Sequence, residues 1–465
     1  MSVTITSADL RQALAPQPAV VFVPGPAPHG AVVTVDPSTR YQRFRGVGAA
    51  MTDSSAWLMQ TQLAPAARTV LYSRLFGSGG IRLGFIRVPM GASDFSATGV
   101  PYTYDDLLSG QSDPGLTRFS IAHDLPYVIP ALRTALALNP KAQLLAAPWS
   151  PPAWMKANGL LSNPADAIGT LLPSAYGPLA QYFVKFLTAY RAAGVPIWAV
   201  TPQNEPGQNT AYPGMNLDAA AEGRFITQNL VPALRGGHLG TRVYGYDNNW
   251  FGGSFTFADA LALNPPVARD LAGIASHCYF GGPDEMAGLH RLAPSLDELV
   301  SECSPGPGIA FQTSQLEIAA ARNWASAIAL WNLALTPSGG PVQPPNYGCL
   351  GCTGVVTIDP ATHTVRYTRD YYQLGQFSRF IAPGAVRIGA NTLVRDHYFY
   401  PSGELTTTGV DDVAFQNPDG TRVLVAYAYT SRAASFSVSD GGESFRYRLA
   451  PGATATFTWT PRGAS

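Results

Sequence analysis

The chain has 465 residues, of which 46% are hydrophobic and only 13% charged, so it can bury a large core and is not a disordered protein. Its 30 basic and 30 acidic residues give no net charge, which excludes the basic surface of a nucleic-acid binder and favours an uncharged substrate. No apolar run reaches the roughly 18 residues of a membrane span, and the N-terminus lacks a signal-peptide pattern. We expect an extracellular protein whose leader is absent from this chain, with a cytoplasmic protein as the alternative.

The N-terminal segment, residues 1–42, contains turn-forming residues and two short runs of β-forming residues, Ala19–Val23 and Ala31–Val35. We expect this segment to pack with a small β-domain formed near the C-terminus. A chain of this length has room for one large barrel and such a companion domain.

From Phe44 onwards, short apolar runs alternate with longer Ala- and Leu-rich stretches, which is the pattern of a parallel sheet with crossover helices. One such stretch, Pro178–Ala193, has its apolar residues at helical spacing. Eight strands separated by helices over roughly 300 residues predict an α/β fold, a (β/α)8 TIM barrel over residues 43–376. We expect Gly46 and Gly48 to form a tight turn after the first strand. The predicted strands are Phe44–Gly48, Ile81–Val88, Gln143–Ala147, Ile197–Thr201, Arg242–Tyr246, Ile274–His277, Leu299–Ser301 and Ala327–Trp331.

Residues 377–465 have a different pattern, with short β-like runs separated by turns such as Asp440-Gly441-Gly442. They predict a side all-β sandwich domain that is built from both termini of the chain. Its predicted strands are Thr421–Tyr429, Ala434–Val438, Phe445–Leu449 and Thr454–Thr458.

The four cysteines leave two alternatives open. Cys349 and Cys352 are close enough in sequence for a short-loop disulfide, with Cys278 and Cys303 as buried free thiols. In the other alternative all four are free. A zinc site is not expected, because no second ligand pair stands at a suitable spacing.

Two glutamates follow predicted barrel strands. Glu205 comes after the fourth strand in Asn204-Glu205-Pro206, and Glu302 ends the seventh. The active site of a barrel lies at the C-terminal ends of its strands, and glycoside hydrolysis needs one carboxyl group on each side of the scissile bond. We therefore predict that Glu205 is the general acid/base and Glu302 the nucleophile of a retaining β-glycosidase. Asn204 is predicted to bind the sugar 2-hydroxyl.

Ten segments of the chain, in order, resemble glycoside hydrolase family 30, which includes acid β-glucosylceramidases and fungal-type β-1,6-glucanases. They cover most of the chain, and the fold implied by the resemblance is the barrel with a side β-domain already predicted. The segments are Gly46–Ala56, Ile86–Met90, Ser93–Ser96, Ala147–Lys156, Trp198–Pro206, Ser276–Tyr279, Ser301–Cys303, Leu330–Pro337, Val355–Asp359 and Tyr372–Phe380.

The resemblance also implies contacts to the terminal sugar. Asp94 corresponds to a carboxylate that binds outer hydroxyls, and Trp149 and Trp331 correspond to indoles that form the pocket wall. Asn204 corresponds to the residue before the acid, and Tyr279 to the tyrosine beside the nucleophile.

Other residues near these motifs have supporting roles in this interpretation. We expect Arg87 and His277 to orient the two carboxylates, and Trp154, Asp247 and Trp250 to contact substrate at the rim of the site. No cofactor and no metal ion is required by a mechanism that uses two carboxyl groups.

The predicted substrate is a β-1,6-glucan or a related β-glucoside, acted on by a monomer. Cys278 stands where the lysosomal enzyme type has Trp, and the segment Gly339–Gly354 is more similar to microbial β-1,6-glucanases, so glucosylceramide is the alternative substrate. Further alternatives keep the mechanism and change the sugar to a β-xyloside, β-galactoside or β-fucoside. A protein of another class, a non-catalytic carbohydrate-binding barrel, would not need both glutamates.

Overall fold

The computed structural model describes residues 1–27, 30–250, 256–305, 312–343, 351–391, 409–429 and 431–461. It confirms the predicted fold class, because eight parallel strands form a closed barrel and a separate β-structure lies beside it. None of the helices in these ranges is long and apolar enough to cross a membrane.

The strands of the described residues fall into the barrel, the side domain and two small sheets near the barrel. In chain order they are β1 (Ser2–Thr6), β2 (Ala15–Gln17), β3 (Val23–Pro24), β4 (Val32–Arg43), β5 (Gly46–Ala50), β6 (Phe85–Pro89), β7 (Gln143–Ala147), β8 (Ser162–Asn163), β9 (Ala199–Val200), β10 (Thr210–Pro213), β11 (Arg242–Asn249), β12 (Gly273–His277), β13 (Asp297–Glu302), β14 (Ala325–Leu330), β15 (Ala334–Leu335), β16 (Val356–Asp359), β17 (Thr364–Tyr367), β18 (Val386–Ala390), β19 (Asp411–Gln416), β20 (Arg422–Tyr427), β21 (Ala434–Asp440), β22 (Glu443–Leu449) and β23 (Thr454–Trp459).

The α-helices follow the barrel strands, as expected for crossover connections between parallel strands. A short π-helix, Ile226–Leu230, joins two of them. They are α1 (Asp53–Thr61), α2 (Pro65–Phe76), α3 (Val128–Leu138), α4 (Tyr176–Ala192), α5 (Ala219–Phe225), α6 (Val231–Gly236), α7 (Thr256–Ala262), α8 (Pro265–Asp270), α9 (Asp284–Leu292), α10 (Thr313–Arg322) and α11 (Arg369–Ser378).

The barrel closes in the order β5, β6, β7, β9, β11, β12, β13 and β14, with β14 pairing back to β5. Each of the eight predicted strand segments overlaps one of these strands. Their residues are almost entirely buried, because helices cover the outside of the barrel and side chains fill its inside. All eight strands therefore point their C-terminal ends to one face of the molecule.

The expectation of a tight turn at Gly46 and Gly48 was wrong. Both residues lie within β5, where Gly48 pairs with Phe85 of the neighbouring strand. A Cβ atom added at Gly48 would lie 1.7 Å from the carbonyl oxygen of Phe85. Glycine is needed here because two backbones approach closely, which is a contact between strands that a local sequence pattern cannot reveal.

The side domain is a ten-stranded arrangement in the order β2, β1, β23, β20, β19, β18, β4, β21, β22 and β3, so both termini contribute to it. All four predicted C-terminal strands are present. Most of Ala19–Val23 lies outside any strand, whereas β1, β2, β18 and β19 were not predicted. A hydroxyl pair, Thr454 with Ser314 of α10 at 2.8 Å, joins this domain to the barrel.

The cysteine pairing differs from both predicted alternatives. A disulfide joins Cys278 to Cys303, with 5.2 Å between their Cα atoms, so neither is a free thiol. The two residues are 25 positions apart in the chain but follow neighbouring barrel strands, and only the closed sheet brings them together. Cys352 is also disulfide-bonded, while Cys349 lies outside the described residues, and the predicted pair between them stays a prediction.

We predict that Gly48→Ala lowers the free energy of unfolding by about 3 kcal/mol, because the added methyl group overlaps the backbone of β6. Gly79→Ala is the matched control, since nothing lies within 4 Å of a Cβ built there. Urea unfolding of both variants beside the native protein measures the difference. Equal stability of the two variants would contradict the close contact inside the barrel.

Candidate active site

A buried arginine occupies the centre of the barrel mouth. Arg87 comes from β6 and is fully buried. Its Nη2 donates to Asp247 Oδ2 at 2.8 Å and to Asn204 Oδ1 at 2.6 Å, and its Nη1 donates to Glu302 Oε2. One guanidinium therefore joins side chains that come from three segments of the barrel mouth.

Asp247 is the main acceptor in this network. The sequence predicted a rim position for this residue, and that prediction was wrong. Asp247 is fully buried, and besides Arg87 it accepts hydrogen bonds from Thr201 Oγ1 at 2.8 Å and Ser301 Oγ at 2.5 Å, and it contacts His277 Nε2 at 3.1 Å. Four neighbours thus satisfy a carboxylate that could not otherwise be buried.

Two β-bulges bring these groups into the barrel. Between β11 and β12 the pairing skips Asp247, and between β12 and β13 it skips Ser301. Each skipped residue is the extra residue of a bulge, which redirects its side chain, and the two side chains bond to each other. Asp247 also has a positive φ of 57°, a conformation that few non-glycine residues adopt.

Glu205 lies in the loop after β9 and has a positive φ of 45°. Its backbone N–H donates to the carbonyl of Asp247 at 3.0 Å, which holds this unusual conformation. Its Oε1 is 3.2 Å from His277 Nδ1, and its Oε2 accepts a long hydrogen bond of 3.4 Å from the hydroxyl of Tyr212. Strained backbone of this kind is concentrated at functional sites.

Glu302 is the last residue of β13 and is 6% exposed. Its Oε2 accepts from Arg87, and its Oε1 accepts from the hydroxyl of Tyr279 at 2.8 Å. His277 Nδ1, which contacts Glu205, also lies 3.9 Å from Glu302 Oε1. The two glutamates therefore flank one imidazole.

Two indoles lie beside Arg87. Trp149 and Trp331 stack with ring centroids 5.1 Å apart and planes 20° apart, and the guanidinium of Arg87 lies over both rings. Both indoles are almost fully buried. Asp94 is 5% exposed, and the neighbouring Phe95 packs edge-on against Trp331.

The charged groups of the cluster shift the pKa values of their neighbours in the direction that favours the charged forms. Burial alone would raise the pKa of Asp247 and lower that of His277. Arg87 and His277 instead hold the pKa of Asp247 well below its ordinary range. Glu302, Asp247 and Glu205 raise the pKa of His277 to about 9, so the imidazole is protonated at neutral pH.

Burial raises the pKa of both groups in the Tyr279–Glu302 pair. Burial, with a contribution from Glu302, raises the pKa of Tyr279 well above its ordinary value, so the hydroxyl stays a hydrogen-bond donor. Burial also raises the pKa of Glu302, although His277 and Arg87 act in the opposite direction. Glu302 therefore becomes ionised at a higher pH than an exposed glutamate.

A metal ion fits this cluster poorly. Among the described residues, Glu205, His277 and Glu302 form a group of possible ligands whose atoms lie within 4.8 Å of one another. Arg87 already contacts Glu302, and the raised pKa of His277 favours an imidazolium, which cannot bind a metal. The positive charges that the carboxyl groups need are supplied by the protein.

The structure brings most of the predicted site residues into direct contact. Hydrogen bonds, ion pairs and cation–π contacts link Arg87, Trp149, Asn204, Glu205, His277, Tyr279, Glu302 and Trp331. Two of the three predicted rim residues are fully buried and not at a rim: Asp247 lies in the hydrogen-bond network of Arg87, and Trp250 is part of the core. The third, Trp154, donates its Nε1 to Asp105 Oδ2 at 3.0 Å.

Sequence reasoning missed Tyr212, Thr201 and Ser301. Tyr212 lies on β10, a short strand outside the barrel, and no pattern in the sequence connects it with Glu205. The only available signal for the other two was their place at the ends of predicted barrel strands, where hydroxyl groups are common.

Comparison with known proteins shows the family of the chain. Residues 44–381 match the family model described as glycosyl hydrolase family 30 TIM-barrel domain, and residues 384–457 match the glycosyl hydrolase family 30 beta sandwich domain. The chain belongs to glycosyl hydrolase family 30. As a member of that family, it is a glycoside hydrolase that acts on carbohydrate substrates, which confirms the predicted enzyme class.

Curated relatives in family 30 include two kinds of enzyme. An endo-1,6-beta-D-glucanase of Neurospora crassa is 34% identical over 413 residues, covering 84% of this chain and 80% of the relative. The lysosomal acid glucosylceramidase of Mus musculus is 30% identical over 464 residues, covering 92% and 84%. A solved structure of the endo-beta1,6-glucanase BT3312 is 27% identical, with a TM-score of 0.85 and 99% of both chains covered.

We predict that His277 makes stability fall as the pH rises. Its pKa is raised in the folded state from 6.5 to about 9, so its contribution is complete below about pH 6.5 and is lost as the pH approaches 9. Between these limits the native protein should lose about 3 kcal/mol more than His277→Gln. Urea unfolding at several pH values measures this, and parallel curves for the two proteins would disprove the assignment.

Proposed function

We propose that this protein is a retaining β-glucosidase of the family 30 type that cleaves β-1,6-linked glucan. The observation that carries the mechanism is the distance between the two glutamates. One carboxylate oxygen of Glu205 and one of Glu302 lie within 4.8 Å of each other. Retaining glycosidases hold their carboxyl groups about 5 Å apart, whereas inverting enzymes leave room for a water molecule between them.

The charge balance supports separate roles for the two glutamates. Arg87 and the protonated His277 supply two positive charges, and ionised Asp247 and Glu302 supply two negative charges. In the proposal Glu302, which accepts hydrogen bonds from Arg87 and Tyr279, reacts as the carboxylate, and Glu205 acts as the general acid because two neighbouring carboxylates resist ionising together. Glu205 donates its proton to the leaving oxygen while Glu302 attacks the anomeric carbon.

The second half of the reaction uses the same groups. When the glycosyl ester forms on Glu302, the negative charge of that residue disappears, and Glu205 can then exist as a carboxylate. It takes a proton from water, which attacks the anomeric carbon and releases the sugar with its original configuration. His277, which contacts Glu205, and Tyr279, which donates to Glu302, keep the two carboxyl groups in place throughout.

The proposed sugar contacts follow the sequence predictions. Trp149 and Trp331 provide an indole wall for the apolar face of a pyranose, and Asp94 accepts hydrogen bonds from its outer hydroxyls. Asn204, held by Arg87, binds the 2-hydroxyl, a contact that strengthens in the transition state. Tyr212, beside Glu205, lies on the side from which the leaving group departs.

Two observations favour a β-1,6-glucan over glucosylceramide. Three fungal endo-1,6-beta-D-glucanases are 32–34% identical to this chain, compared with 30% for the mouse glucosylceramidase. Cys278 is bonded to Cys303 at the position where the lysosomal type has Trp. We also propose a secreted monomer; secretion is consistent with the disulfides, because disulfides persist in oxidising compartments.

We predict that Glu302→Gln abolishes turnover of every substrate, since no nucleophile remains. Glu205→Ala should lower kcat/KM on β-1,6-glucan by about 10²- to 10⁴-fold, and kcat/KM on a dinitrophenyl glycoside much less, because that leaving group needs no proton in the first step. Azide should restore turnover of the dinitrophenyl glycoside by Glu205→Ala and yield a β-glycosyl azide, because azide attacks in the second step without a general base. Glu443→Gln, in the side domain, is the control, and retained activity in Glu302→Gln would reject the assignment.

We predict that β-1,6-glucan is the best substrate among β-1,6-glucan, glucosylceramide, xylan, galactan and nitrophenyl β-glycosides. Product analysis should detect β-1,6-linked glucose oligomers with the native protein and none with Glu302→Gln. Faster release of glucose from glucosylceramide would favour the alternative substrate, and release of xylose or galactose would change the sugar while keeping the mechanism.

A further inference from the structure

The disulfide between Cys278 and Cys303 lies next to the reacting groups. Cys278 stands between His277 and Tyr279, and Cys303 directly follows Glu302. Both cysteines are almost fully buried, with exposed fractions of 1% and 0%. The bond therefore joins the two chain segments that carry the proposed nucleophile and its hydrogen-bond donor.

The disulfide lies directly after the last paired residues of β12 and β13. β12 and β13 pair regularly up to Ser276 and Val300, the pairing then skips Ser301, and the last pair is His277 with Glu302. The disulfide occupies the next position along both strands. Because a bulge weakens the ladder directly before Glu302, backbone hydrogen bonds alone hold these strand ends less firmly than regular pairing would.

Cys303 also connects this pair of strands to the pocket wall. Its carbonyl oxygen accepts a hydrogen bond from the backbone N–H of Trp331 at 2.7 Å. On the other side, the N–H of Tyr279 donates to Asn249 Oδ1 at 2.9 Å. The bonded cysteines thus lie between the two hydrogen bonds that locate Trp331 and Tyr279 relative to Glu302.

We propose that the Cys278–Cys303 disulfide is a positioning cross-link for catalysis, which holds the Glu302 carboxylate against the Tyr279 hydroxyl and the His277 ring. This inference rests on the proposed role of Glu302 as nucleophile. Attack on the anomeric carbon depends on placement to within about 1 Å, so a small separation of the two strand ends lowers the rate without removing any reacting group.

The proposal is tested with a folded protein that lacks the Cys278–Cys303 disulfide. In the double variant Cys278→Ala with Cys303→Ala, kcat on β-1,6-glucan should fall about 10- to 100-fold while KM changes little. The acid limb of the pH–rate profile should move to higher pH, because Glu302 loses its donor from Tyr279. A second pair, Cys278→Val with Cys303→Ala, restores packing volume but not the bond and should show the same loss.

A double-mutant cycle separates positioning from general stability. If the bond acts through the Tyr279 contact, Tyr279→Phe should cost much less activity in the bond-free protein than in the native protein. A purely structural bond would lower the melting temperature and leave kcat, the pH profile and the effect of Tyr279→Phe unchanged, and that result would overturn the proposal. Melting curves identify the temperature at which each variant is folded.

Two further measurements keep the outcome decisive. If neither pair folds, partial reduction of the native protein by a phosphine, with peptide mass mapping, should lower activity in proportion to the broken Cys278–Cys303 bond, and full activity after its breakage would overturn the proposal. Cys352→Ser controls for the other bonded cysteine. An active Glu302→Gln would reject the proposed function itself, whereas an inactive Glu302→Gln beside a fully active bond-free variant would reject only the cross-link.

Discussion

The contact between Arg87 and its two carboxylate partners is the interaction on which the site depends. A buried guanidinium is tolerated only when its charge and its donors are satisfied, and Asp247 and Glu302 satisfy both. Each carboxylate in turn is buried because Arg87 is present. Removal of any one of the three would leave an uncompensated charge inside the barrel, so the cluster is assembled as a unit.

This cluster explains why the backbone around it is irregular. A regular parallel strand points every second side chain outwards, which cannot bring Asp247 and Ser301 together inside the barrel. Bulges in β11 and β13 and the positive φ values of Asp247 and Glu205 are the means by which the chain does so. These conformations cost free energy, which the hydrogen bonds of the cluster offset.

The cluster also links the proposed nucleophile, Glu302, to the Cys278–Cys303 disulfide. The carboxylate of Glu302 has three kinds of support: the charge of Arg87, the hydroxyl of Tyr279 and, in our proposal, the covalent bond that joins the ends of β12 and β13. A buried disulfide beside the proposed nucleophile suits an enzyme that works in an oxidising compartment. In our proposal, the Cys278–Cys303 disulfide would then link the stability of the protein, its cellular compartment and its activity.

The sequence by itself determined the barrel and the place of its two glutamates. Buried parallel strands are short apolar runs with turn residues between them, so local composition reveals them. A glutamate such as Glu302 that directly follows such a run must lie at the barrel mouth. Only the tertiary structure decided the role of Asp247, the contact of Tyr212 with Glu205 and the pairing of Cys278 with Cys303. Each of these depends on a bulge or on contacts between strands far apart in the chain, and neither leaves a periodic pattern in the sequence.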